Sequence, residues 1–301
     1  MRIIFCDSVF DSKLVEPDYK EEFNSAKQNG LKVSLISFEQ LNEGEALKAI
    51  ESIPVCEKLE QSIYRGWMLT PKVYENFYYA LLKKNIELIN NPIEYKYCHF
   101  LPESYTVIEA LTPKSNWTRL ITEEKVNSLT DEFEESPVIV KDFVKSEKHN
   151  WENACFIKDA SDKEEVKRVV DNFLELRGEF LNEGIVFRKF EKLEFLTNHS
   201  KSSMPLTKEF RLFFLNQQLF SQYNYWDEGE YGDVQVDLKE FVSVAENISS
   251  NFFTMDIAKK EDGSWIIMEL GDAQVSGLPE NADKNLFYKQ LLDFFLANLR
   301  N

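Results

Sequence analysis

Apolar runs of two kinds alternate along the first hundred residues. RIIFCD (2–7) and LKVSLISF (31–38) are short and continuously apolar, as in buried strands, and they flank a polar stretch with helical spacing. SIYRGWML and IELIN repeat the strand pattern on either side of VYENFYYALLKKN, whose apolar positions recur at helical intervals. This alternation predicts an α/β layer with parallel strands. Two prolines and a polar run in PESYTVIEALTPKSNW break the periodicity, so a boundary is expected near residue 105.

Beyond it, SPVIVKDFV and GIVFRKF read as strands around the amphipathic helix DKEEVKRVVDNFLELRGEFL, a second small α/β unit. The remainder joins KEFRLFFLNQQLF to an aromatic, acidic stretch, then to the hairpin NFFTMDIAKKEDGSWIIMEL and the helix ADKNLFYKQLLDFFLANL. No internal repeat is visible.

Bulk composition narrows the function classes. The 301 residues are 43% hydrophobic and carry a formal charge of −17. They can bury a large core, and they oppose binding to nucleic acid or anionic lipid. Cys6, Cys56, Cys98 and Cys155 contain no CxxC pair, which suits free thiols in a reducing compartment. No run approaches the roughly 20 apolar residues of a spanning helix, and MRIIFCDSVF is too short for a signal-peptide core. A cytoplasmic protein is expected, and the sequons at Asn116, Asn198 and Asn247 are then chance matches. His99, His149 and His199 fit no zinc spacing. The glycines form neither GxxxxGK[ST] nor GxGxxG.

Chemistry concentrates in the hairpin. If Asp262-Gly263 is its two-residue turn, counting back along both strands sets Asp256 opposite Glu269. Opposed like charges repel. A divalent cation between them resolves the conflict, and oxygen ligands favour magnesium or manganese. A solvated edge carboxylate, or one paired with a lysine, is the alternative. Lys141 ends an apolar strand, and Lys145 begins KSEKHNWEN, a polar stretch with the composition of a mobile flap; either suits a phosphate. In KEFRLFF, Glu209 and Arg211 share a strand face, and Arg188 sits inside a strand where a guanidinium needs a ligand or an acidic partner. Each of these taken alone also fits an ordinary ion pair. In YRGWML, Arg65 and Trp67 could grip an acceptor carboxylate and an apolar group, although Trp67 equally suits a core. The stretch YNYWDEGEYGDVQVD could line a pocket for a cationic amine, or be a solvated loop.

The order of these features resembles the ATP-grasp family: a lysine at a strand end, a hinge strand, an acid-x-arginine strand, then an aspartate and a glutamate before a glycine turn. RGW, KEFR and ELGDAQVSGLP are similar to the clade named for two arginines and one lysine. The resemblance covers roughly residues 105–290. It implies two α/β lobes clasping nucleotide, residues 106–190 and 191–301, after an N-terminal Rossmann-like domain, residues 1–105. It also implies that Lys141 touches ATP phosphates, that the backbone of Lys189 and Phe190 meets adenine, and that Glu209 meets ribose. Arg188 and Arg211 would neutralise phosphate charge, and Asp256 and Glu269 would hold magnesium. The family's usual motif is glutamate, one residue, then asparagine; Gly271 stands at the asparagine position, and Asp272 is taken as the substitute ligand.

The activity so implied is an ATP- and magnesium-dependent ligase joining a small-molecule or peptide carboxylate to an amine, or less often a thiol, through an acyl phosphate. A phosphotransferase on the same fold and a silent nucleotide-binding or interaction module are the alternatives. Nothing in the sequence indicates the substrates or the oligomeric state.

Overall fold

The structure, a computed structural model, describes residues 1–298, with the side chain of Asn298 outside the description. The first sheet has β1 (Arg2–Ser8) at its centre, with β3 (Lys32–Ile36) and β4 (Glu60–Arg65) parallel to it on either side and β5 (Ile86–Leu88) parallel to β4. A short strand that the periodicity did not predict, β2 (Asp11–Val15), folds back antiparallel on the end of β1. The connections run through α1 (Lys20–Gln28), then α2 (Phe38–Asn42) and α3 (Ala46–Ala49), then α4 (Pro71–Leu82). Alternation along β1 sends Ile4 and Cys6 to the α4 side, and Ile3 and Phe5 to the opposite side.

Helices α5 (Pro92–His99) and α6 (Leu101–Ile108) follow. Asn91 starts α5 with a reciprocal capping box shared with Glu94. Residue 105, the expected boundary, lies inside α6.

The second sheet is antiparallel, in the order β6 (Ser115–Thr118), β9 (Ile185–Lys189), β7 (Val138–Asp142), β8 (Phe156–Ile157). Helices α7 (Glu123–Asp131) and α9 (Lys163–Arg177) cover it, and α8 (Trp151–Ala154) precedes β8. The antiparallel pair β10 (Phe195–Asn198) and β11 (Pro205–Thr207) comes next.

The third sheet is also antiparallel, and includes β12 (Glu209–Leu215), β13 (Gln218–Asn224), β14 (Phe252–Lys259) and β15 (Trp265–Asp272), in the order β13-β12-β14-β15. Helix α10 (Lys239–Ala245) leads into β14, and α11 (Lys284–Asn298) ends the described chain. One face of this sheet, with Phe210, Leu212, Phe253 and Met255, packs towards the second unit. Phe213, Leu215 and Phe252 on its other face join Ile3, Phe5 and Phe287 in a core shared with the N-terminal sheet. Among the described residues no helix is long and apolar enough to cross a membrane, and all four cysteines are free.

Candidate active site

Asp256 and Glu269 do stand opposite each other, but by a different route from the one expected. Lys260 and Ser264 close a three-residue loop with Gly263 at φ +89°, and from there Lys259 pairs with Trp265 and Ile257 with Ile267. A bulge between Asp256 and Ile257 skips Met268 and moves the register by one, so that Asp256 meets Glu269. The pair owes its alignment to the bulge rather than to a two-residue turn.

The two carboxylates differ in kind. Arg211 on β12 is the cross-strand neighbour of Asp256 on its other side, and its guanidinium forms a bidentate pair with Asp256 at 2.8 and 2.7 Å. The expectation that only a cation holds Asp256 and Glu269 together is therefore corrected. Burial disfavours the charge on Arg211, but Asp256 more than offsets this and raises its pKa. Tyr225 lies over the guanidinium, 4.7 Å from ring centroid to Cζ, and the Gly277 carbonyl accepts from Nη1.

Glu269, by contrast, is exposed, and its carboxylate has neither a hydrogen-bond nor an ion-pair partner among the described residues. Its charge is felt nonetheless by Lys141, Arg188, Arg211, Tyr225 and His99. Burial depresses Lys141 and brings Arg188 down to about 10, with Glu269 opposing both shifts. Arg188 is 5% exposed, and its Nη2 donates only to neutral oxygens, Thr112 Oγ1 at 3.0 Å and the Ile267 carbonyl at 3.1 Å. Lys141 and Arg188 therefore lie near one unpaired carboxylate without forming an ion pair among the described residues. That arrangement suits an anionic ligand.

A metal ligand set needs more care. Among the described residues no group of three or more His, Cys, Asp or Glu side chains could hold a metal ion. Gly271, on the same face as Glu269, is paired with Thr254; a Cβ there would lie 2.8 Å from Thr254 Oγ1 and 2.9 Å from Ser276 Oγ. An asparagine cannot enter that position without displacing both hydroxyls. Asp272, taken as the substitute, is corrected: it lies on the opposite face, fully buried, accepting from Asn90 Nδ2 at 2.6 Å and from the Gln274 backbone N–H at 2.9 Å. Burial lifts its pKa to about 7. What remains is Glu269 with Asp256 beside it, which fits magnesium, an ion commonly held by one or two carboxylates plus substrate phosphates.

The other candidates divide. Glu209 accepts from Thr207 Oγ1 and from Trp226 Nε1, and burial raises its pKa. Lys189 is exposed, and Phe190 stacks edge-on with Trp151 and Phe156. Their backbone N–H groups already bond the Lys114 and Pro137 carbonyls, so neither is left to donate to an adenine. Lys145 is exposed and makes no ion pair among the described residues, in a flap tethered at its base: buried Asp142 accepts from the Val144 and Lys145 N–H groups and pairs with Arg177, which also holds Glu147.

Arg65 is corrected as well. It is 1% exposed and pairs with Glu22 at 2.9 Å through both Nε and Nη2, while Nη1 donates to the Ala273 and Ser276 carbonyls. It braces the interior and cannot reach a substrate carboxylate. Trp67 is not core either, being 39% exposed with its ring against Tyr19. Sequence reasoning missed Tyr225 and Thr112. The aromatic character of YNYW was the one signal for Tyr225, and a lone threonine offers none.

Comparison with known proteins bears on the fold and the family. A search of curated protein sequences finds no match. Among solved structures, D-alanine–D-alanine ligase from Bacillus anthracis complexed with ATP is similar, with TM-score 0.58 and 16% identity over 100% of this chain and 97% of that one. The ATP-grasp ligase PsnB, complexed with minimal precursor, Mg and ADP, has TM-score 0.57 and 12% identity over 99% and 98% of the two chains. D-cycloserine synthetase DcsG has TM-score 0.58 and 10% identity over 98% and 99%. At these identities the likeness is one of fold. The profile of the ATP-grasp domain, R2K clade family 3, matches residues 129–291, more than half of the chain, and the protein accordingly belongs to that family and has the ATP-grasp fold.

Proposed function

We propose that this protein is an ATP-dependent ligase joining a carboxylate to an amine. The observation that carries the reading is the unpaired Glu269 beside Lys141 and Arg188, cations whose charge burial disfavours and that make no ion pair among the described residues, with the Asp256-held Arg211 next to them. Similarity in fold to a D-alanine–D-alanine ligase and to PsnB supports ligase chemistry over phosphotransfer.

In this reading Lys141 and Arg188 receive the phosphates of ATP, Glu209 the ribose, and the chain carbonyls near Lys189 and Phe190 the adenine amine. Glu269, with Asp256, would hold magnesium, which neutralises charge on the phosphates when bound. The substrate carboxylate oxygen attacks the γ-phosphorus; the P–O bond to ADP breaks and an acyl phosphate forms. The amine nitrogen then attacks the acyl carbon, the C–O bond to phosphate breaks with its electron pair, and the nitrogen loses a proton. Arg211, fixed by Asp256 and Tyr225, is placed to offset negative charge on the transferring phosphoryl group.

The test is a thermal shift with magnesium-ATP, followed by ADP release with a panel of amino acids and peptides. Wild type is expected to gain stability with nucleotide. Lys141→Ala should lose that gain while its ligand-free melting temperature stays the same or rises, because burial disfavours the lysine's charge and it makes no ion pair among the described residues. An Lys141→Ala variant with full nucleotide stabilisation would overturn the assignment. Phosphate retained on a product, rather than released, would overturn the ligase reading alone.

A further inference from the structure

His99 is the last residue of α5 and the one buried histidine among the described residues, at 7% exposure. An imidazole hidden from water normally satisfies both ring nitrogens. Here it satisfies one. Nδ1 lies 2.9 Å from the Tyr95 carbonyl oxygen, four residues back in the same helix. A carbonyl oxygen only accepts, so Nδ1 carries the proton and donates, and Nε2 is left with a bare lone pair. Nε2 makes no hydrogen bond among the described residues, and it is not one of the sealed, unsatisfied atoms, which are Arg2 Nε, Glu60 Oε1 and Ser221 Oγ. It therefore opens onto space that another group can enter.

The fold decides where that lone pair is presented. Helix α5 packs on β15, the strand that carries Glu269. Immediately after His99, Phe100 meets Phe143 edge-on at 6.4 Å, and the Leu101 N–H donates to the Phe143 carbonyl at 2.9 Å. These contacts pin the junction of α5 and α6 to the chain between Lys141 and Lys145. His99 is thereby wedged between the Glu269 strand and the base of the flap, and the charges it senses are those of Glu269 and Lys145. The ring is braced from behind: its centroid is 4.4 Å from that of Tyr95, Tyr95 stacks on Tyr74 at 3.8 Å, and the Tyr95 hydroxyl bonds both the N–H and the carbonyl of Leu69.

Burial brings the His99 pKa down to about 4, against the Tyr95 carbonyl and Glu269 and with Lys145, so the ring is neutral near pH 7. A fixed, neutral imidazole that offers only a lone pair beside a carboxylate has nothing to donate to a phosphate. It suits a group with a hydrogen to give, and of the reactants in the ligase reading that group is the amine.

We propose that His99 is a catalytic residue of the amine step, in which Nε2 accepts a hydrogen bond from the neutral acceptor nitrogen, aims its lone pair at the acyl carbon and takes its proton. The nitrogen pair forms the N–C bond, the C–O bond to phosphate breaks with its pair on phosphate, and the nitrogen's proton passes to Nε2 and from there to water. The imidazolium formed in between keeps its Nδ1–H on the Tyr95 carbonyl. It stands at the C-terminal end of α5, where the helix dipole favours positive charge, with Glu269 adding to that preference. The role in catalysis rests on the ligase reading; the tautomer of the ring does not.

The experiment begins with the full chain, ligand-free and labelled with nitrogen-15. Near pH 7, long-range proton–nitrogen correlations of the histidine rings, with His99 identified by its disappearance in His99→Asn, are expected to show Nδ1 protonated and Nε2 bare. A ring protonated on Nε2, alone or together with Nδ1, would overturn the proposal. Kinetics then follow amine-dependent ADP release with the panel of amino acids and peptides. The side chain in His99→Asn still has an N–H for the Tyr95 carbonyl but cannot take a proton, so kcat should fall about a hundredfold or more while KM for ATP and the magnesium-ATP thermal shift stay unchanged. In His99→Ala, added imidazole should restore part of the lost rate, which a merely structural residue would not allow. Full activity of His99→Asn, loss of its nucleotide stabilisation, or no rescue by imidazole would each overturn the catalytic role. A wild type without amine-dependent ADP release would remove the ligase reading and this role together, whereas an active wild type beside an equally active His99→Asn removes this role alone.

Discussion

At the scale of single residues, opposed carboxylates with different neighbours are expected to behave differently when neutralised. Asp256→Asn breaks a buried bidentate pair and strands Arg211, so it should cost about 3–5 kcal/mol of folding stability. Glu269→Gln removes an exposed charge that makes no ion pair among the described residues; lost attraction to Lys141, Arg188 and Arg211 opposes relieved repulsion from Asp256, so the ligand-free stability should stay within about 0.5 kcal/mol of wild type. The same variant should lose its stabilisation by magnesium-nucleotide. Denaturant and thermal unfolding of both variants, with and without magnesium-ATP, measure this; a destabilised Glu269→Gln would mean that Glu269 is structural.

Among the elements, the β14–β15 hairpin sets the site, and its geometry depends on a turn and a bulge that compensate each other. Gly263 takes φ +89° in open solvent, a conformation that costs a side-chain-bearing residue about 1–2 kcal/mol. Gly263→Ala should lower unfolding stability by that amount without altering the nucleotide response, since the bulge lies between the turn and Glu269. An accompanying loss of nucleotide response would show that the turn, rather than the bulge, controls the register. The flap is the other instructive element. Its composition, KSEKHNWEN, suggested mobility, whereas Glu147 is held by Arg177 and Trp151 stacks on Phe156. Those partners lie thirty or fewer residues away along the chain but on other elements, where composition cannot reveal them.

For the whole molecule, the decisive feature is the fusion of the N-terminal sheet with the third sheet through Phe213, Phe252 and Phe287, reinforced by the buried Asn90–Asp272–Gln274 network. Burial raises the folded-state pKa of Asp272 to about 7, well above that of an unfolded aspartate. The folded state then holds a proton that the unfolded state releases between about pH 4 and 7, and stability falls as pH rises through that window. Its loss should amount to about 2–4 kcal/mol, from 1.36 kcal/mol per pKa unit. Unfolding free energies at pH 5 and pH 8 should therefore differ less in Asp272→Asn than in wild type; an identical pH dependence would show that Asp272 titrates normally.

Strand and helix positions were legible in the sequence because burial on one face imposes a local period, and RIIFCD, SPVIVKD and WIIMEL all became strands where that period placed them. The order of lysine, acid-x-arginine, aspartate and glutamate was legible for the same reason: it needs only the chain direction. Partner choice was not. Arg211 and Asp256 are 45 residues apart, Arg65 and Glu22 are 43 apart, and Asn90 and Asp272 are 182 apart. Whether a charged residue faces a ligand or a protein counter-ion depends on which strands lie side by side and on which face each side chain emerges. One bulged residue reverses that face, so only the tertiary structure could show that Asp256 is paired by Arg211 while Glu269 is not.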